Sequence, residues 1–244
     1  MMRHVLVTGA TGGVGSTLCR YLAETYQVLA VGRQPRRLDE LHEMLPEIST
    51  YCCDLGSSDD VSRLVDMLRS EYDHIPYVVN NAGVNVPRSL DDMSHHELVS
   101  SLSVNAIAPF LIMQGVLPAM RRENFGRIIN ITSGAPMNCF AGFSAYSASK
   151  GALNALTVTA AREHEDYDIK INLMSPGPVR SGMAPAASMD PDVCLPTFDY
   201  LLNLDETGPS GRFFWLGHEL PLFPDLEGVD WLHGTASAEF PRIV

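Results

Sequence analysis

Three side chains whose chemistry could be combined lie in one stretch of this 244-residue chain, SGAPMNCFAGFSAYSASK at 133–150. Ser133 offers a hydroxyl, Tyr146 a phenol thirteen residues later, and Lys150 an ammonium four residues after that. If the second half is helical, Tyr146 and Lys150 are i and i+4 neighbours on one face, close enough for the charge to act on the phenol. A free tyrosine titrates near pH 10, so phenol chemistry near pH 7 requires about 4 kcal/mol in favour of the phenolate. A neighbouring ammonium supplies part of that. Ser133 follows the apolar run RIINIT, which reads as a strand, and so stands at a carboxyl end, where open α/β sheets hold their ligands. The three groups could converge on one carbonyl, although a YxxxK spacing also arises by chance in ordinary helices.

Positioning them needs a sheet, and the chain supplies strand patterns alternating with helical ones. Val5 to Val7 form a short apolar run, then TGATGGVG leads into the helical pattern STLCRYLAETY. A glycine-rich turn between strand and helix lets backbone approach a pyrophosphate and aims helix N–H groups at it. Gly9, Gly13 and Gly15 suit that task, though glycines also make ordinary tight turns. Because Gly12 is present as well, the stretch fits both TGxxxGxG and TGxxGxxG. The second strand, QVLAV, ends at Gly32-Arg33, with Arg36 and Arg37 beyond. An acidic residue there would hold ribose hydroxyls, whereas arginine accommodates a 2′-phosphate. The expectation is therefore NADP(H), with NAD(H) as the alternative; a solvated turn arginine is the plainer reading. A third strand, ISTYCC, delivers Asp54, which suits either an adenine amino group or a helix start.

Val61, Leu64, Val65 and Leu68 mark an amphipathic helix. The strand PYVV then precedes Asn80-Asn81-Ala82-Gly83, whose small residues leave space beside a central strand. Ser94 and Glu97 have capping-box spacing, so His95 and His96 read as first-turn surface residues rather than metal ligands. No metal site is expected. Asn105 sits four residues before Pro109, whose ring clashes with the preceding turn, so a local kink that frees a carbonyl to hold water is expected. Ala145, Ala148, Ala152 and Ala155 suit close helix packing. The strand IKINLM leads into Ser175-Pro176-Gly177-Pro178-Val179-Arg180-Ser181, a rigid turn at the same sheet edge. This alternation predicts parallel βαβ units in a doubly wound sheet, with no internal repeat and no linker.

Composition narrows the classes. A chain of this length with 45% hydrophobic residues can form one α/β domain. The formal charge of −12 repels phosphate backbones and anionic membranes, so neither nucleic acid nor membrane is an expected partner. Cys19, Cys52, Cys53, Cys139 and Cys194 show neither CxxC nor zinc spacing, which fits a reducing cytoplasm. No signal peptide is read at the amino terminus, and no apolar run is read as membrane-spanning.

Taken together, TGATGGVG, Asp54, NNAG at 80–83, Asn105, Ser133 with Tyr146 and Lys150, and PG at 176–177 resemble the short-chain dehydrogenase/reductase family, over about residues 4 to 183. The YxxxK thirteen residues after the serine, the NNAG and the short chain resemble its compact, 3-oxoacyl-reductase-like branch, and so favour TGxxxGxG. The resemblance implies a Rossmann-type sheet of seven parallel strands in a single domain, residues 1–244, binding NAD(P)(H). By this likeness Tyr146 is the general acid, Ser133 polarises the carbonyl, Lys150 holds ribose hydroxyls and lowers the tyrosine pKa, and Asn105 fixes a relay water. Cofactor contacts are implied at Gly9, Thr11, Gly13, Val14, Gly15, Arg33, Asp54, Leu55, Asn81, Ala82, Gly83, Tyr146, Lys150, Pro176, Gly177, Val179 and Ser181.

Departures begin after this core, residues 1–182. The lid that follows the PG turn in the family is shortened here to 183–189, implying an open pocket lined by Met137, Phe140, Phe143 and Met183. The last framework strand resembles GRFFWLG at 211–217, and 218–244 form an atypical tail in which Trp231 and Leu232 could dock on the protein or a neighbouring subunit. A homodimer through the helices bearing Asn105 and Tyr146 is expected, with a tetramer in doubt. The leading expectation is an NADPH-dependent ketoreductase acting on a bulky or carrier-bound biosynthetic substrate. The alternatives are a non-catalytic NADP(H)-binding sensor or scaffold, or an NAD-dependent alcohol dehydrogenase.

Overall fold

In a computed structural model, residues 3–224, 226, 229–230 and 235–237 are described. Seven strands run parallel: β1 (His4–Thr8), β2 (Gln27–Gly32), β3 (Ser49–Cys52), β4 (Tyr77–Asn80), β5 (Gly126–Ile131), β6 (Ile169–Ser175) and β7 (Phe213–Trp215). Their spatial order is 3-2-1-4-5-6-7, so the winding reverses between β1 and β4. The expected seven parallel strands are joined by an eighth, β8 (His218–Leu220), which pairs antiparallel with β7. A separate two-stranded ladder joins β9 (Val229–Asp230) to β10 (Thr235–Ala236). Trp231 and Leu232, expected to dock the tail, lie outside the described residues.

The strands divide their side chains between two cores, as the period of two requires. Val5, Val7, Val28, Ala30, Ile129 and Ile131 pack on one face, with α1 (Gly13–Ala23) and α8 (Leu195–Leu202). Leu6, Leu29, Val31, Val78 and Ile128 pack on the other, with α3 (Ser58–Glu71) and α5 (Ala108–Arg122). Between α1 and α3 lies α2 (Pro35–Met44); α4 (His95–Leu102), α6 (Ala135–Asn138) and α7 (Ser144–Glu163) are the other α-helices among the described residues. The Ser94–Glu97 capping box forms, leaving His95 and His96 exposed in the first turn. No group of three potential metal-ligating side chains occurs among the described residues.

Between α4 and α5 the chain makes a π-helical turn, Ser103–Ile107, closed by the Ala108 N–H donating to Ser103 O. Pro109 carries no N–H for the carbonyl of Asn105, so the regular ladder cannot pass through this point. The expected kink is therefore a widened turn. From His95 to Arg122 the helical course is long and apolar enough to cross a membrane, contrary to the expectation that no run reaches that length. Half of its most apolar stretch is buried inside the protein, where α5 packs on α3 and α4 on α7. Of the small residues on α7, Ala145 is buried, whereas Ala148 and Ala155 face outward rather than packing within the subunit.

Candidate active site

The carboxyl ends of the central strands surround a cleft of about 430 Å³. Its floor begins where β1 turns into α1. Gly9 adopts φ 64°, and a Cβ there would lie 2.8 Å from Ala82 Cα. At Gly15 a Cβ would come within 2.1 Å of Gly9 O, and at Gly13 within 2.9 Å of Arg180 O. At Gly12 the nearest atom would be 3.3 Å away, so the tight positions are those of TGxxxGxG. This loop is tied to the segment after β4. Thr8 Oγ1 accepts from the N–H groups of Asn81 and Ala82 at 3.0 and 3.1 Å, and Asn81 Nδ2 donates to Thr8 O at 2.9 Å. In the sequence Thr8 is only the first letter of TGATGGVG, with no role of its own; at the end of β1 a threonine reads as a β-former.

Arg33 follows β2 into the cleft, and Arg37 joins it from the first turn of α2. Arg37 Nη2 donates to Thr11 O at 2.6 Å, so the second arginine spans the glycine loop. The sequence named Arg37 without giving it a site, although its spacing of four from Arg33 across Pro35 is the signal that could have done so. Asp54 accepts from the Gly56 N–H at 3.0 Å, and it is Ser57 that caps α3. Leu55 and the Asn81–Gly83 segment continue the cleft wall.

At the other end, β5 delivers Ser133 and α7 presents Tyr146 and Lys150, all three lining the cleft. The Ser133 Oγ accepts from the Ala135 N–H at 3.1 Å, which fixes the hydroxyl at the start of α6. Lys150 is 3% exposed, and its Nζ donates to Ile131 O at 2.7 Å. Burial pulls the lysine down to about 8. The expected depression of Tyr146 is not found. Burial pushes the phenol up, and the polar Ser133 side chain offsets only part of it. Held on the β5 carbonyl and brought to about 8, the amine is neutral by the pH at which so buried a phenol ionises, and so does not pull it down.

Asn105 is fully buried behind this group and does not line the cleft. Its Oδ1 accepts from Val84 N–H, and its Nδ2 donates to Val84 O, each at 2.8 Å, and to Ser149 Oγ at 2.9 Å. The side chain thereby fastens the widened turn to both α7 and the segment after β4.

Pro176, Gly177, Val179 and Ser181 line the cleft beyond β6, followed by Gly182, Met183 and Ala184. Residues 180–190 form a loop closed at its base by a Val179–Met189 bridge, by the Arg180 N–H donating to Met189 O, and by an Arg180–Asp190 ion pair. Of the four residues expected in a substrate pocket, Met183 lines the cleft while Met137, Phe140 and Phe143 do not. Asn154 Nδ2 points to Met137 Sδ at 4.0 Å, drawing it toward α7. Phe140 stacks edge-on against Phe143, which stands 6.3 Å, ring to ring, from Tyr146. These rings form an apolar rim outside the cleft.

Residues 3–192 match the family model described as short chain dehydrogenase. The chain is 32% identical over 199 residues to the 3-oxoacyl-(acyl-carrier-protein) reductase FabG of Staphylococcus epidermidis, covering 78% of this chain and 80% of that one. An uncharacterized oxidoreductase of Bacillus subtilis is 31% identical over 177 residues, covering 70% and 69%. Among solved structures, a metagenomic short-chain oxidoreductase in complex with NADP superposes with a TM-score of 0.76 at 29% identity, covering 84% of this chain and 93% of that one.

Proposed function

Since the chain belongs to the short-chain dehydrogenase family and is an NAD(P)-dependent oxidoreductase acting on CH–OH or C=O groups, we propose that it is an NADPH-dependent ketoreductase with Tyr146 as general acid. The observation that carries this reading is the convergence of Ser133, Tyr146 and Lys150 at one end of a cleft whose other end holds the glycine loop with Arg33 and Arg37. The residues fit a nicotinamide dinucleotide. Side chains are excluded at Gly9, Gly13 and Gly15, and the first turn of α1 presents N–H groups suited to a pyrophosphate. Arg33 and Arg37 suit a 2′-phosphate. NADPH would supply the hydride.

The protein's own residues do the rest. Ser133 and Tyr146 donate hydrogen bonds to the carbonyl oxygen, and the Tyr146 proton passes to that oxygen as negative charge develops on it. A phenol that burial keeps protonated suits reduction, the direction in which it must give up a proton. Lys150 contributes a cation beside the ribose, and Asn105 holds the turn whose freed carbonyl can take a relay water. Such acid catalysis is worth about 10²–10⁴-fold, and positioning adds to it.

The exposed rim of Met137, Phe140 and Met183 favours a bulky or carrier-bound ketone, and the FabG relative acts by its name on a carrier-bound 3-oxoacyl group. The short 183–189 loop supports the same view. Exposed Val99, Ile107 and Phe110 along α4 and α5 support a homodimer through that face. All five cysteines are free, which fits a reducing compartment. The test is NADPH oxidation against ketones graded from small β-keto esters to acyl-carrier thioesters and polycyclic ketones. Turnover of the larger members supports the reading; tight NADPH binding with no turnover across the panel favours a cofactor-binding sensor instead.

A further inference from the structure

The β7–β8 hairpin reverses on Leu216 and Gly217, both left-handed, at φ 45° and 82°. A leucine in that region costs backbone energy and persists only where its surroundings hold it. Two contacts do so. The Gly217 N–H donates to Thr197 Oγ1 on α8 at 2.7 Å, and Thr197 is 4% exposed. The Leu216 side chain lies against Gly177, where an added Cβ would meet Leu216 Cδ1, Cδ2 and Cγ at 3.3, 3.4 and 3.5 Å.

Gly177 belongs to the cleft wall. It is left-handed at φ 85°, and its carbonyl accepts from the Val179 N–H at 2.9 Å, folding Pro176–Val179 tightly about Pro178. All four of these residues line the cleft, whereas Leu216 does not. The leucine presses on the wall from behind. A glycine with no side chain has wide backbone freedom, so the resting place of this turn depends on what packs against it.

We propose that Leu216 is a positioning residue for hydride transfer: the hairpin, latched to α8 through Gly217 and Thr197, fixes the Pro176–Val179 turn and thereby the nicotinamide half of the dinucleotide relative to Tyr146. The proposal rests on the dinucleotide reading of the cleft. Misplacing reacting groups by about 1 Å can cost about 10²-fold in rate. Arg33, Arg37 and Asp54, which would hold the adenosine half, come from β2, α2 and the end of β3 and not from this turn.

The test compares native protein with Leu216→Ala, Leu216→Met and Thr197→Val. The measurements are affinity for adenosine 2′,5′-bisphosphate, kcat with the best ketone of the panel, and the primary isotope effect with NADPH deuterated at the transferred position. Leu216→Ala is expected to leave bisphosphate affinity unchanged, lower kcat by about tenfold or more, and raise the isotope effect. Leu216→Met, which conserves volume, restores most of the rate. Thr197→Val, which keeps the leucine but removes the latch, shifts kcat the same way by less and serves if the alanine variant does not fold. Unchanged kcat and isotope effect with only a lowered unfolding temperature would overturn the proposal. So would parallel loss of bisphosphate binding and rate. Native protein that binds neither bisphosphate nor NADPH would overturn the dinucleotide reading itself, and this proposal with it.

Discussion

Lys150→Met isolates what the buried lysine costs the fold. Lys150 is 3% exposed, and burial takes its pKa from 10.5 to about 8. That difference corresponds to ~3 kcal/mol against the charged amine in the native state. Below pH 8 native and unfolded chains both carry the proton, and the native state bears the whole penalty. Between pH 8 and 10.5 the unfolded chain binds more protons, so this group makes stability rise with pH. Buried thiols act in the opposite direction: Cys19 is pushed up to about 12, and Cys53 and Cys194 to about 11, so each makes stability fall as pH rises above its ordinary value. Only the difference between native protein and variant separates the lysine from them. Methionine removes the charge but forfeits the hydrogen bond to Ile131 O, worth ~1.5–3 kcal/mol, so the two proteins have similar stability near pH 7. From pH 7 to pH 10 the native protein should then gain about 2.5 kcal/mol on the variant, or roughly 5–10 °C in Tm. Thermal unfolding of both proteins followed by circular dichroism at several pH values measures this. A stability difference that does not change with pH would mean that burial does not depress this amine.

Three further substitutions probe the far end of the cleft. Arg33→Asp should raise the NADPH KM by about 10–100-fold, as expected for losing charge-assisted hydrogen bonds, and improve use of NADH; an unchanged ratio of kcat/KM values would shift phosphate selectivity to Arg37. Gly15→Ala places a Cβ 2.1 Å from Gly9 O and should abolish dinucleotide binding in a fluorescence titration, whereas Gly12→Ala, 3.3 Å from the same atom, should keep it. Equal effects of the two would argue against the tight Gly9–Gly15 approach.

The doubly wound sheet was legible because its signals are local. Strand runs such as VLV and RIINI alternate with helices of regular period, and Ser94 and Glu97 write their cap within four residues. Cleft residues at strand ends were legible for the same reason, since a strand fixes where its last side chains emerge. What escaped depends on partners far away in sequence. The β7–β8 turn uses a left-handed leucine, which is no turn signal, and is held by Thr197 and Gly177. Pro109 announced an interruption but not that Asn105 would be consumed by Val84 and Ser149. The i,i+4 spacing of Tyr146 and Lys150 suggested a mutual charge effect; the ammonium instead bonds a carbonyl on β5, and burial governs the phenol. Met137, in the one-turn α6, and Phe140, just beyond it, sit in a stretch too short for any periodicity to set its course.

Whether the Tyr146 phenol delivers the proton during hydride transfer to a ketone is decided by one variant. Tyr146→Phe removes one oxygen and should leave NADPH affinity nearly unchanged while single-turnover reduction slows by about 10²–10⁴-fold. Reduction at the native rate by the phenylalanine variant would mean that the proton comes from another group.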